Sequence, residues 1–208
     1  LDPSLSPYSI TEGTPIQANW FQSNGVSQDV TVVANQIASV GFGNYCKVPS
    51  GGLTLGFWSN KNGQALINSS DLTALTALCL RKADGSDFTP TSAADVKSFL
   101  LGASATNMAN MLSAQLTAMT LNIRHGFVQS TSFDLCSGKT IGQLVTDANA
   151  ALCADGSTPA GDPNRASQES MKSCIDQLNN GAPVVPANVV TTPPGVTFRM
   201  VLLLQSAT

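Results

Sequence analysis

The stretch of sequence that decides the fold is Thr106–Arg124, TNMANMLSAQLTAMTLNIR. Apolar side chains recur in it every three or four residues, which is the spacing of one face of an α-helix. The pattern predicts a long amphipathic helix whose apolar face packs against other helices. This face consists of Met108, Met111, Leu112, Leu116, Met119 and Ile123.

Helical spacing continues on both sides of this stretch, from Ser69 to Asn180. Capping residues and glycines divide the region into four further helices. We predict one that begins at Ser69 or Ser70 and runs to Cys79, and three others over Ser92–Gly102, Ile141–Leu152 and Asp162–Gly181. The short connections between the five helices favour antiparallel packing.

The first 50 residues are rich in β-branched residues and turn formers. Ser23-Asn24-Gly25 stands between Ile16–Gln22 and Val26–Val33, and Asn-Gly between two such runs is typical of a β-hairpin. The alternative is a helix over Ser27–Val40, because apolar residues in that range also keep helical spacing. We favour the two strands.

The chain after Gly181 changes to a proline-rich segment, APVVPANVVTTPPGV, whose prolines exclude helix and favour extended backbone. Val196–Gln205 then reads as a strand with apolar residues on both faces, which predicts that both faces are covered. We expect it to pair with a neighbouring copy of the chain, and the alternative is pairing with Ile16–Val33 of its own chain. The candidate assembly residues are Val196, Phe198, Met200, Leu202 and Leu204.

The expected fold is therefore α+β, with an antiparallel helical module of about five helices between N- and C-terminal β segments, supported by disulfides. Residues 1–50 form the predicted β-rich segment, 51–181 the helical module, and 182–208 the extended linker and terminal strand. A chain of 208 residues is long enough to bury a core without a structural metal.

Composition excludes several classes of protein. Charged residues make up 11% of the chain, the net charge is −3, and no basic run is present that would neutralise phosphates, so we expect no nucleic-acid partner. No tract is long and apolar enough to span a membrane. The opening residues lack both the charged and the apolar region of a signal peptide, and we expect a secreted or cell-surface chain whose signal has been removed.

Five cysteines, none of them in a CxxC pair, indicate disulfides in an oxidising compartment rather than a metal site. We predict a bridge between Cys153 and Cys174 across the fourth and fifth helices, which would contribute on the order of 3 kcal/mol. A second bridge is expected between two of Cys46, Cys79 and Cys136. The alternative is a cytosolic protein with buried free cysteines.

The segment Gly52–Asn60, GLTLGFWSN, contains a glycine, two adjacent aromatic residues and an asparagine, namely Gly56, Phe57, Trp58 and Asn60. It resembles the start of a domain of secreted and surface proteins of bacteria, marked by Thr-Pro-Gly-Phe-Trp-Lys-Asn-His. Later elements at Leu112–Asn122 and Asp147–Leu152 are also similar to that family and follow in the same order.

The resemblance implies an exported, largely helical module and no particular chemistry. The chain departs from the family pattern at Leu55, Ser59 and Lys61, where the family has Pro, Lys and His. The missing histidine removes a residue from which a metal-binding or catalytic role could have been transferred.

Trp58 lies among leucines in the sequence, which predicts a core anchor that ties the β portion to the helices, with Asn60 satisfying backbone groups at the turn. The alternative is an exposed aromatic platform for a glycan. His125, the only histidine, directly follows the central helix, so we expect a capping or solvated role rather than acid–base catalysis.

No serine stands in a GxSxG or SxxK motif, and no pair of carboxylates suggests hydrolysis. The acidic loops Asp84–Asp87 and Asp155–Asp162 lack the ligand spacing of an EF-hand, which favours ordinary Asx turns. We therefore predict a protein that is not an enzyme and needs no metal or organic cofactor. Calcium is the one ion that the sequence leaves open.

These observations favour an extracellular structural or surface protein that self-assembles into a filament, sheath or matrix through strand contacts between subunits. The alternative is a monomeric carbohydrate-binding or adhesion module that uses exposed aromatic residues such as Trp20, Trp58 or Tyr45.

Overall fold

The computed structural model describes residues 1–13, 19–23, 25 and 27–187. The described residues form two compact units, one within Leu1–Lys47 and the other over Val48–Ala187. Seven α-helices and eight short strands occur among them, and all strand pairs are antiparallel, so the fold is α+β as predicted. The candidate assembly strand at 196–204 lies outside the described residues.

The long central helix of the second unit, α5, spans Met108–Arg124. Thirteen of its residues are buried, because the other helices pack around it instead of against a single face. The side chain of Asn107 caps its first turn by accepting a hydrogen bond from the backbone N–H of Ala109.

The other four predicted helices are also present, namely α3 over Ser69–Thr76, α4 over Ala93–Leu101, α6 over Ile141–Ala154 and α7 over Arg165–Asn179. The helix α3 is capped by Asn68 rather than by Ser69 or Ser70, and it ends at Thr76, before the predicted Cys79. Capping boxes begin the first three of these four helices. The fifth, α7, begins later than the Asp162-Pro163 signal, because those residues form a turn before it.

Two short helices were not predicted, α1 over Leu55–Ser59 and α2 over Lys61–Leu66. Asn60 caps α2 by accepting hydrogen bonds from the backbone N–H groups of Asn62 and Gly63, which confirms its predicted role at the turn. The backbone of α1 lies so close to Gly63 that a Cβ atom there would collide with the carbonyl oxygen of Phe57. Helices of five and six residues are too short to show a periodic pattern.

Four very short strands form a sheet beside the helices in the order β5, β8, β6, β7. They span Val48–Pro49 (β5), Phe133–Asp134 (β6), Lys139–Thr140 (β7) and Pro183–Val185 (β8). The first part of the proline-rich segment therefore belongs to the helical unit rather than to a linker. Pro183 is compatible with this interior strand because it is the first residue of β8.

The first unit contains two separate two-stranded sheets. In one, β1 (Tyr8–Thr11) pairs with β3 (Ser27–Val30), and in the other, β2 (Trp20–Gln22) pairs with β4 (Asn44–Cys46). The predicted hairpin between the regions of β2 and β3 is therefore wrong, although strands do form on both sides of the Asn-Gly pair.

The pairing differs because side chains distant in sequence hold β2 against β4. The Glu12 carboxylate accepts hydrogen bonds from the side-chain amides of Gln22, at 3.0 Å, and Asn44, at 2.7 Å. The alternative helix over Ser27–Val40 is also excluded, because Ser27–Val30 is a strand and Asn35 has a positive φ of 60°.

Candidate functional site

The aromatic motif lies at the start of the helical unit, where Thr54 caps α1 and positions Phe57 and Trp58. Trp58 is fully buried, which confirms its predicted place in the core and excludes this residue as a glycan platform. Its predicted role in tying the N-terminal β portion to the helices is not seen, because its ring and hydrogen-bond partners all belong to the helical unit. Its indole ring packs against the rings of Phe57, His125 and Phe127, with centroid distances of 5.3, 5.4 and 6.2 Å.

Asn122 is the polar centre beneath this aromatic cluster. It is fully buried on α5, and its Oδ1 accepts hydrogen bonds from Trp58 Nε1 and from the backbone N–H of Leu53, both at 3.1 Å. Its Nδ2 donates to the Leu53 carbonyl at 2.8 Å and to Asn179 Oδ1 at 2.9 Å. All four hydrogen bonds of the amide are thus satisfied, as burial of such a group requires.

The network continues from Asn122 through α7 and back to α5. Asn179 Nδ2 donates to Gln115 Oε1 at 2.8 Å, and Gln115 Nε2 donates to Asp176 Oδ1 at 3.0 Å. Asn122, Asn179 and Gln115 are nearly inaccessible to solvent. This chain of amides fixes the register of α5 against α7 and the position of the segment that carries the aromatic motif.

A buried carboxylate lies next to the same cluster. Asp71 on α3 is 2% exposed, and its carboxylate accepts a hydrogen bond from Arg124 Nε at 2.7 Å. His125 Nε2 lies 3.0 Å from its second oxygen, and because an ionised carboxylate only accepts, this nitrogen carries the proton. Asp71 also accepts from the backbone N–H of Asn68, as part of the capping box of α3.

His125 thus stands just after α5, as predicted, but it is partnered rather than solvated. Asp71 was not predicted as a partner of His125, because it is 54 residues away and carries no motif of its own beyond an N-terminal capping pattern. The hydroxyl of Ser70, which belongs to the same cluster, donates to Asn68 Oδ1 and accepts from Arg124 Nη2. The geometry of this Asp71 cluster orients side chains and joins α3 to α5.

Asp71 should make stability depend on pH. Burial raises the pKa of Asp71, but hydrogen bonds from Arg124, the Asn68 amide and His125 outweigh it and leave the pKa below its usual value. The ionised carboxylate therefore stabilises the fold above the ordinary pKa of about 4, and this contribution disappears as the pH falls through the lower folded-state value.

We expect Asp71→Asn to lower the free energy of unfolding by about 1–3 kcal/mol at neutral pH, with the gap to the unmodified protein closing under acidic conditions. Urea unfolding at several pH values measures the gap. Glu169→Gln, at an exposed position on α7, should change stability little at any pH. A gap that stays constant down to pH 2 would contradict the assignment.

The disulfides differ from those predicted. Cys79 is bonded to Cys153, and Cys136 to Cys174, so the predicted Cys153–Cys174 bridge is wrong, and Cys46 is the free thiol. The reason is that the loop after α3 lies against the end of α6. The backbone N–H of Cys79 donates to Asn149 Oδ1, one helical turn before Cys153.

The acidic loops form Asx turns. Asp84 accepts hydrogen bonds from the backbone N–H and hydroxyl of Ser86, and Asp155 accepts from the backbone N–H of Ser157. One possible group of metal ligands occurs among the described residues, namely Asp134 with Cys136 and Cys174. Both of these sulfurs are bonded to each other, so they cannot act as thiolate ligands.

The remaining aromatic residues of the glycan alternative lie in the first unit. Phe21 and Tyr45 face each other across β2 and β4 with centroids 5.9 Å apart, and Trp20 is half-buried on the other face. Lys47 Nζ stands 4.1 Å from the centroid of the Phe21 ring. This cation–π contact occupies one face of the Phe21 ring.

In comparisons with known proteins, no family, curated protein or solved structure matches the chain. The two disulfides fit an oxidising compartment. Among the described residues, no helix has the length and apolar character that crossing a membrane requires.

Proposed function

We propose that this protein is an extracellular structural subunit that self-assembles when the C-terminal strand of one copy pairs with the N-terminal β segment of another. The observation that carries the proposal is how little the N-terminal segment buries. Of its described residues up to Lys47, Val32 alone is buried, while Leu5, Phe21, Val33 and Ile37 are exposed.

Such a segment gains stability from an additional strand. Isolated two-stranded sheets are marginally stable in water, and each of the two sheets has an open edge on both strands among the described residues. A further strand would supply backbone hydrogen bonds and cover apolar surface. The alternating apolar residues of 196–204 provide a strand of this kind.

The exit points of the chain support this arrangement. β5 and β8 are antiparallel neighbours with Val48 opposite Val184, so the chain enters and leaves the helical unit at the same end of one strand pair. Residues 186–195 separate this exit from the candidate strand, and at about 3.1 Å per residue they would span about 30 Å when extended. That reach is sufficient for a neighbouring subunit.

Secretion is part of the proposal and rests on the chemistry of the helical unit. Its two disulfides persist where thiols are oxidised. Buried polar side chains such as those around Asn122 form hydrogen bonds with other amides rather than ion pairs. A module that is cross-linked by disulfides and closely packed suits a subunit that functions outside the cell.

Truncation after Ala187 tests the assembly. This cut spares β8, so we expect the shortened chain to keep its helical circular dichroism and to sediment as a monomer, whereas the intact chain forms larger species. Phe198→Asp should reduce assembly through the cost of burying a charge, while Ser206→Asp, beyond the strand, should not. Analytical ultracentrifugation provides the measurement.

Two results would contradict the proposal. One is an intact chain that remains monomeric at high concentration. The other is an intact chain that is monomeric and whose N-terminal segment unfolds after truncation. This result would show that the C-terminal strand pairs with the N-terminal segment of its own chain.

A further inference from the structure

We propose that the C-terminal strand of a neighbouring copy, at 196–204, adds to the outer edge of β3 with Arg199 opposite Asp29. This inference rests on the proposed assembly and identifies which of the four open strand edges of the N-terminal segment receives the strand. β3 pairs with β1 on one side, so its other edge is open among the described residues. Backbone groups at such an edge can pair with an added strand.

Charge complementarity points to Asp29. Arg199 is the one charged residue of the chain from 188 onward, and the acids of the N-terminal segment are Asp2, Glu12 and Asp29. The Asp2 carboxylate accepts hydrogen bonds from Ser4, and the Glu12 carboxylate accepts from two side-chain amides. Asp29 is exposed, and within the described part of the chain no hydrogen bond or ion pair involves its carboxylate. It is therefore the acid that can pair with the single cation of the added strand.

The sheet of β1 and β3 has two chemically different faces, because side chains alternate along each strand. Asp29 lies on the exposed face, where Ser9 Oγ and Ser27 Oγ are 2.6 Å apart. The opposite face is half-buried, and from it Gln28 Nε2 donates to the Gly41 carbonyl at 2.6 Å. The other side chains on the half-buried face are those of Tyr8, Ile10 and Val30.

The candidate strand matches both faces in one register. Arg199 opposite Asp29 lies on the exposed, polar face. The alternation then places Phe198 and Met200 on the half-buried face, beside Val30. A slip by one residue would move the charge to the half-buried face and the apolar side chains to the exposed one. The charge and the apolar pattern therefore select the same register.

The edge of β1 is less suitable, although it belongs to the same sheet. Ser9 is the cross-strand partner of Asp29, and it carries no charge. At the β1 edge, the backbone of Arg199 would lie two strand spacings, about 10 Å, from that of Asp29. Solvent and salt screen most of the attraction between exposed charges at this separation.

The sheet of β2 and β4 is less suitable for a different reason. On the face of Phe21 and Tyr45, Lys47 Nζ lies 4.1 Å from the centroid of the Phe21 ring, so Arg199 would meet a like charge there. On the opposite face, the Glu12 carboxylate already accepts two hydrogen bonds. A strand with Arg199 on that face would also turn its apolar residues toward Lys47.

Disulfide trapping between two intact variant chains tests the edge. One carries Asp29→Cys and the other Arg199→Cys, both in a Cys46→Ala background, and the mixture is oxidised with glutathione disulfide. Directly opposed residues of adjacent strands have Cα atoms about 4.5–5.5 Å apart, which a disulfide spans. We expect a covalent dimer in which peptide mapping finds 29 linked to 199. Because each chain carries one new cysteine, this link forms only between copies.

The matched control replaces Asp29→Cys with Ser9→Cys. Ser9 and Asp29 are both exposed, lie on the same face and are direct cross-strand partners. A cysteine at position 9 should give little dimer, because about 10 Å between Cα atoms exceeds the reach of a disulfide.

A charge exchange provides a second readout. Asp29→Arg alone or Arg199→Asp alone should raise the concentration needed for assembly at least about threefold, because each places like charges opposite one another. The double variant Asp29→Arg/Arg199→Asp should restore assembly. Sedimentation of the intact chains measures these concentrations.

The failure of this inference differs from the failure of the proposed assembly. An intact chain that assembles without a link from 29 to 199, or with an equal yield of links from 9 to 199, would overturn the β3 edge and leave assembly standing. An intact chain that remains monomeric, and that forms the link within one molecule when it carries both cysteines, would overturn both proposals.

Discussion

Trp58→Ala is expected to lower the free energy of unfolding of the helical unit by about 3–5 kcal/mol. The side chain is fully buried and packs against three aromatic rings, so its removal leaves a large cavity. The substitution also removes the indole donor to Asn122 Oδ1. Urea unfolding followed by far-ultraviolet circular dichroism, which reports on the helices, measures the loss.

Two variants separate this effect from a general response to truncation. Leu101→Ala, at a position that is 67% exposed, should change stability by less than about 0.5 kcal/mol. Trp58→Phe keeps an aromatic ring in the cavity and should cost less than Trp58→Ala. A loss below about 1 kcal/mol for Trp58→Ala would show that the residue is not the anchor of this core.

Removal of the Cys79–Cys153 bridge is expected to have a comparable effect. The two residues are 74 positions apart, and in the chain-entropy description closure of such a loop contributes about 4 kcal/mol. The double variant Cys79→Ala/Cys153→Ala should therefore unfold at a much lower urea concentration. It also frees the loop after α3 from the end of α6.

The free thiol provides the matched control for this experiment. Cys46→Ala removes a cysteine that has no disulfide and should leave the unfolding of the helical unit within about 0.5 kcal/mol of the unmodified protein. Peptide mapping without reduction should recover 79 linked to 153 and 136 linked to 174. A peptide that links 153 to 174 would contradict the structure and restore the pairing expected from the sequence.

The disulfides illustrate why the local sequence indicated which cysteines form bridges but not which cysteines are their partners. Cys153 and Cys174 are close in sequence and lie on consecutive helices, which suggested a direct bridge. Each instead bonds to a cysteine outside those helices, because the loop after α3 and the turn after β6 approach them in space. That approach depends on how the helices pack, which no nearby residue encodes.

The strands of the first unit show the same limit. The β-branched runs identified strand-forming segments, and β3 lies where a strand was favoured over a helix. The predicted partners were wrong because each strand pairs with one that is not its nearest neighbour in sequence. Hydrogen bonds from Gln22 and Asn44 to Glu12 tie together residues up to 32 positions apart and outweigh the local preference for an Asn-Gly turn.

The sequence by itself determined the five longer helices, the α+β class and the burial of Trp58. Those features follow from periodicity, capping residues and apolar neighbours, all of which act over a few residues. Only the tertiary structure decided the disulfide partners, the strand pairs, the Asn122 network and the contact of Asp71 with His125. Each of these joins side chains that are distant along the chain, and their separation in space is set by the packing of whole elements against one another.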